Sequence, residues 1–175
     1  DDDDARAAPL THEVFDALLG AAKTGKVALF DRFVGIAHDR GVVVDAGEAI
    51  LKAALNASHG VSMAEHVWGS HRGVLRFELH RTLTDLLDAV FGDADESARR
   101  GIMLLERLRF VYKAAAEAGV PVCWTPSTLV QLFRVVVERR NIPVTRFFLK
   151  QEADALRADP GLVREATALV PPAAA

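Results

Sequence analysis

Apolar side chains recur at helical spacing along nearly the whole chain, and a glycine closes almost every run. Val14, Phe15, Leu18, Leu19 and Ala22 precede Gly25; Leu29, Phe30, Phe33, Val34 and Ala37 precede Gly41. Ile50, Leu51, Ala53, Ala54 and Ala57 precede Gly60, and Leu83, Leu86, Leu87, Val90 and Phe91 precede Gly92. A strand puts same-face residues two apart, so this spacing belongs to amphipathic helices joined by tight turns. The 29 alanines favour helix independently of the pattern.

Start signals agree with the stops. Thr11 is placed to cap a first helix, and Asp45-Ala46-Gly47-Glu48 and Ser62-Met63-Ala64-Glu65 have the form of capping boxes. Asp93-Ala94-Asp95-Glu96 puts negative charge at the start of what reads as one long helix. On it Ile102, Leu105, Leu108, Tyr112 and Ala115 face one way, and Gly119 ends it. Thr125-Pro126 and Asp159-Pro160 each set a cap before a first-turn proline, while Asn141 and Pro143 interrupt between them. Val74 to Leu79 alternates like a short strand but has no evident strand partner, so a helical turn is predicted there. Gly69 and Gly73 predict a break just before it. The expected fold is all-α: about nine helices stacked as antiparallel hairpins, in the manner of an α-solenoid. Residues 1–9 are expected to form an acidic tail, 10–170 one helical-repeat domain, and 171–175 a second tail.

Hairpin starts at Thr11, Asp45, Thr82 and Thr125 are 34, 37 and 43 residues apart, near the period of about 35 found in helical-hairpin arrays. The links also look alike: Asp39-Arg40-Gly41-Val42-Val43-Val44-Asp45 and Glu117-Ala118-Gly119-Val120-Pro121-Val122. Val14 to Leu19 with Lys23-Thr24-Gly25 and the helix ending at Arg40-Gly41 resembles a pentatricopeptide repeat. So does Glu117-Ala118-Gly119-Val120-Pro121 followed by Ser127-Thr128-Leu129-Val130. The resemblance covers residues 10–60 and 100–140 and implies paired helices in a superhelix, single-stranded RNA as ligand, and a mitochondrial or plastid setting. Its base-reading position falls near Thr128 or Leu129, and near Ile50, with a slip of one residue, so no base code follows.

Net charge is −3, but it is segregated. Residues 1–98 hold 9 Lys and Arg against 17 Asp and Glu, a net of −8; residues 99–150 hold 10 against 3, a net of +7. Arg99, Arg100, Arg107, Arg109 and Lys113 lie in one stretch, and Arg134, Arg139, Arg140, Arg146 and Lys150 in the next. Such residues either solvate helix faces or form a stripe that meets phosphate or an acidic protein. Phe147 and Phe148, between Arg146 and Lys150, either stack bases or simply face a core.

Other chemistries find little support. His12, His38, His59, His66, His71 and His80 lack metal-ligand spacing, and Glu78 and His80 would point to different helix faces. Cys123 stands beside Trp124 in an apolar turn with no local base, the setting of a buried, inert thiol. Trp68 and Trp124 read as hairpin-packing anchors. No phosphate-binding loop or dinucleotide fingerprint is present, and no cofactor or metal is expected. The longest uncharged run, Ala118–Phe133, is short of the ~20 residues a membrane helix needs, so no membrane insertion is expected. The first residue is Asp1 rather than Met, which either a trimmed boundary or removal of a targeting segment would explain.

The function expected from these features is non-catalytic. The chain reads as an adaptor subunit of a large organellar ribonucleoprotein such as a mitochondrial ribosome, with other proteins and RNA as partners. Its contact residues would be Arg99, Arg100, Arg107, Arg109, Arg134, Arg139, Arg140, Arg146 and Lys150. The alternatives are a protein-only scaffold or accessory subunit, for example in a respiratory complex, and a small helical enzyme. A cytoplasmic location is the alternative to an organellar matrix.

Overall fold

A computed structural model describes the backbone of residues 2–58, 60–70, 74–77 and 79–171, and the side chains of these except 2–10, 70 and 79–82. Within them the fold is all-α. The helices are α1 (Asp2–Thr24), α2 (Val27–Asp39), α3 (Gly47–Asn56), α4 (Ser62–Ser70), α5 (Leu79–Phe91) and α6 (Ala94–Arg99). They continue with α7 (Ile102–Ala118), α8 (Pro126–Glu138), α9 (Ile142–Gln151), α10 (Ala153–Leu156) and α11 (Pro160–Leu169). The count exceeds the expected nine through the short α6 and α10. Contacts run mostly between near neighbours in the chain: α1 packs on α2 and α3, and α3 on α4 and α5. Further along, α5 meets α8, α8 meets α6, α9 and α11, and α9 meets α7. One apolar cluster extends from Val14 to Ala166 through this series.

The glycine stops work through a shared hydrogen-bond pattern. Gly119 ends α7 in the left-handed region at φ 70°. The following Val120 N–H then donates to the Ala115 carbonyl, satisfying an end-of-helix acceptor. The same five-residue reach joins Lys26 to Ala21, Val42 to Ala37 and Asn141 to Val136. In the last case the left-handed residue is Arg140, at φ 53°.

Several expectations need correction. α1 begins at Asp2, so Thr11 lies inside it rather than at its cap. Asp45 does not cap α3: Ala46 holds that position, and Asp45 pairs with Arg76 at 3.4 Å, both exposed. The long helix after Asp93 is two helices, because Gly101 turns the chain at φ 55°, ψ −120°. Asp93 does cap the first of them, accepting from Glu96 N–H. Ile102 is 76% exposed, and the buried face of α7 is Leu104, Leu105, Leu108, Phe110, Val111, Ala114 and Ala115 instead. Thr125 stands at the N-cap of α8, yet its hydroxyl donates to Asp88 Oδ2 at 2.7 Å rather than accepting from the helix.

The segment from Val74 to Phe77 is not a helical turn. Val44 and Leu75 form an isolated parallel bridge, with Val44 N–H donating to Val74 O at 2.8 Å and Arg76 N–H to Val44 O at 3.0 Å. The strand partner is the β-branched link Val42-Val43-Val44, which favours extended backbone. Gly47 N–H donates to Arg76 O, and a Cβ on Gly47 would lie 2.5 Å from that oxygen. Gly47 is therefore fixed by close approach, where extended backbone crosses the start of α3. Gly73, His59, His71 and residues 172–175 lie outside the described residues, as do the side chains of Glu78, His80 and Thr82.

Candidate nucleic-acid interface

The basic segment 99–150 spans α7, α8 and α9, and the fold sorts its cations into three groups. Arg107 is not a surface residue: it is 1% exposed. It sits on the buried face of α7, one turn from Leu104 and Val111. Its Nη2 donates to the Ala57 carbonyl at 2.9 Å, at the C-terminal end of α3, where the helix dipole favours a cation. Nε and Nη1 have no hydrogen-bond partner. Burial first, then Arg100, pushes its pKa down to about 10, with Glu96 opposing, so it remains a cation at neutral pH.

A second group is neutralised within the chain. Arg100 pairs with Glu96 at 3.6 Å, Arg134 with Asp159 at 3.2 Å and Arg139 with Asp95 at 3.1 Å. These pairs are partly or largely exposed, so each holds its geometry weakly.

The third group has no ion-pair partner among the described residues: Arg99, Arg109, Arg140, Arg146 and Lys150, all exposed. Arg109, Arg146 and Lys150 converge. With Tyr112, Pro143, Phe147 and Gln151 they line a cleft of about 440 Å³ between α7 and α9. Arg109 and Tyr112 are one turn apart on α7, and Arg146 and Lys150 one turn apart on α9. Asn141 fixes the start of α9 by accepting from Val144 N–H at 3.3 Å.

The cleft floor is aromatic. Phe147 meets Tyr112 edge-on at 5.0 Å, and Phe147 and Phe148 stand 6.0 Å apart. Phe148 is fully buried and faces the core, while Phe147 is half-buried at the cleft. The Tyr112 hydroxyl donates to Glu152 Oε1 and accepts from Trp124 Nε1 at 2.9 Å. Burial raises the Tyr112 pKa, and the hydrogen bond to Glu152 adds to the rise. Burial likewise raises Glu152, against the two hydrogen bonds that favour its carboxylate. The hydroxyl is therefore held in the network behind the ring. Three unpaired cations beside an aromatic floor suit a phosphate next to a planar group.

A larger cleft, about 860 Å³, lies between α6 and α8 and includes Asp93, Asp95, Val130 and Arg134. Its charges are already engaged in the α6 cap and the Arg134 and Arg139 pairs. Cys123 is exposed, not buried, because the turn before α8 runs along the surface with its carbonyl accepting from Thr84. Trp68 is an anchor as expected, buried and donating to Glu117 Oε2 at 2.7 Å across to α7. His66 lies 2.6 Å from Asp31, tying α4 to α2. Among the described residues no group of three His, Cys, Asp or Glu is placed to hold a metal ion, and no helix is long and apolar enough to cross a membrane.

In the sequence Tyr112 reads only as a stripe residue and Pro143 only as a break, and Gln151 stands out in no pattern; the available signal is the spacing of Tyr112 from Arg109 and of Gln151 from Phe147 on their helices. No family model, characterised protein or solved structure matches the chain.

Proposed function

We propose that this chain is a non-catalytic helical adaptor subunit of a large organellar ribonucleoprotein assembly, such as a mitochondrial ribosome, and that it meets RNA through the α7–α9 cleft. The observation that carries the reading is the convergence of Arg109, Arg146 and Lys150 around Tyr112 and Phe147, with no carboxylate of the chain paired to them among the described residues. Two arginines in three cations suit bidentate phosphate contact, and the aromatic floor favours a nucleotide over a carboxylate side chain. The near-neighbour order of helix contacts supports a hairpin array of the pentatricopeptide type. The organellar setting rests on that resemblance.

The test is purification of the native protein from ultraviolet-irradiated cells, with sequencing of attached RNA and mapping of crosslinked peptides. Crosslinks at Tyr112 or Phe147 are expected. Recovery without RNA, in a defined protein complex, would replace this reading by the protein-only scaffold.

A further inference from the structure

The α7–α9 cleft is short. Its volume of about 440 Å³ lies near the lower end of the roughly 300–1,000 Å³ of small-molecule sites. Arg146 and Lys150 are one turn apart on α9, a rise of about 6 Å, so the cationic rim there is no longer than one nucleotide. A groove that tracks a single strand takes about 4–16 nucleotides. Three cations share this small space, and no carboxylate lines it: α9 contains neither Asp nor Glu, and Glu106 and Glu117 of α7 stay outside the lining. The start of α9 adds no free donor. Pro143 has no N–H, Ile142 N–H donates to Arg140 O, and the Val144 and Thr145 N–H groups donate to Asn141. A phosphate here is therefore held by side chains alone.

We infer that the cleft takes the phosphorylated end of an RNA strand, one terminal nucleotide with its phosphomonoester. The inference rests on the RNA reading of the same cleft and narrows it. An internal nucleotide brings two diesters, about −2 in all, and needs an exit for the strand on both sides. A terminal one needs a single exit. It brings one diester and a monoester of about −1.5 to −2, which nearly balances Arg109, Arg146 and Lys150. The monoester also presents three oxygens, enough for the two arginine forks and the point charge of the lysine. The terminal base lies on the Tyr112 and Phe147 floor, where stacking tolerates any base. The cleft then reads an end of the strand rather than a sequence.

The test is calorimetric titration of the full chain at moderate salt with short oligouridines that differ only in their ends: a 5′-phosphate, a 3′-phosphate, hydroxyls at both ends, and a closed circle. A phosphorylated strand should bind about tenfold tighter than the hydroxyl-ended one, the worth of one charge-assisted hydrogen bond, and the circle should bind no better than the hydroxyl-ended strand. The 5′ and 3′ arms identify which end is read. Arg109→Gln with Arg146→Gln should abolish the preference. Arg146→Lys, which keeps the charge and loses the fork, should reduce it and keeps the test decisive if the double variant misfolds. Arg134→Gln, outside the cleft, should keep it. Equal affinity for all of these RNAs, or a preference that survives in the double variant, would overturn the inference and leave the RNA reading standing. Binding of none of them would overturn both.

Discussion

Arg107 offers the sharpest separation of a structural arginine from a ligand-binding one. Its side chain makes one hydrogen bond, to Ala57 O, and leaves Nε and Nη1 unpartnered in the core. Replacing it by methionine keeps most of the stem volume. The change gives up one charge-assisted bond, worth about 1.5–3 kcal/mol, and leaves an acceptor bare. It also relieves two unpartnered donors, each costing about 1–3 kcal/mol, and the burial of a charge. These terms nearly cancel, so Arg107→Met should change stability by no more than about 1 kcal/mol. Arg107→Ala removes the stem as well and opens a cavity, for a loss of about 2–5 kcal/mol. At about 2–4 °C per kcal/mol for a domain of this size, the two variants should differ in Tm by roughly 4–20 °C. Thermal and urea unfolding read this directly. Neither variant should alter the salt dependence of RNA binding. If methionine were as damaging as alanine, the guanidinium would be doing more than one carbonyl's work. If either variant flattened the salt dependence, Arg107 would reach the ligand and the burial argument would fail.

Gly47→Ala should lower stability by about 1–3 kcal/mol through contact with Arg76 O and the Phe77 ring, whereas Gly20→Ala, with nothing within 4 Å, should raise it by about 0.5–1 kcal/mol. Equal denaturant midpoints for the two would refute the close approach. Arg140→Gly should stabilise by about 1 kcal/mol, because the left-handed conformation at φ 53° penalises a side chain. Glu152 has a folded pKa above its ordinary value, so the native state binds more protons there than the unfolded state as pH rises from about 4.5. Its contribution to stability is full below about pH 4.5 and falls as pH rises through the raised folded pKa; Glu152→Gln should flatten that fall in urea titrations.

The all-α character and the nine longer helices are legible because glycine stops and apolar spacing are local signals. Gly25, Gly41 and Gly119 adopt positive φ just after a helix ends, whereas α3 ends at Asn56, short of Gly60. What escaped depends on contacts between distant segments. Val74 and Leu75 are extended because Val44, about thirty residues earlier, pairs with them, and Asp45 loses its cap to the same crossing. The fate of Arg107 was readable in part: it falls one turn from Leu104 and Val111 on the apolar stripe, while Arg109 falls off it. A stripe through Ile102 and Tyr112 is out of register with the buried face, and that shift hides the difference. The cleft itself was not readable, since nothing local brings α9 against α7.

The central claim is that Arg109, Arg146 and Lys150 act together on phosphate, and the salt dependence of RNA binding tests it most directly. Affinity for a single-stranded oligonucleotide should be measured across salt concentrations for the wild type and for Arg109→Gln, Arg146→Gln and Lys150→Gln combined. Each lost contact lowers the slope of log affinity against log salt by about 0.7, so the triple variant should lose about 2. Arg134→Gln with Arg139→Gln, whose partners Asp159 and Asp95 already hold them, should lose far less. An unchanged slope in the triple variant, or a larger loss in the paired-arginine variant, would contradict the account.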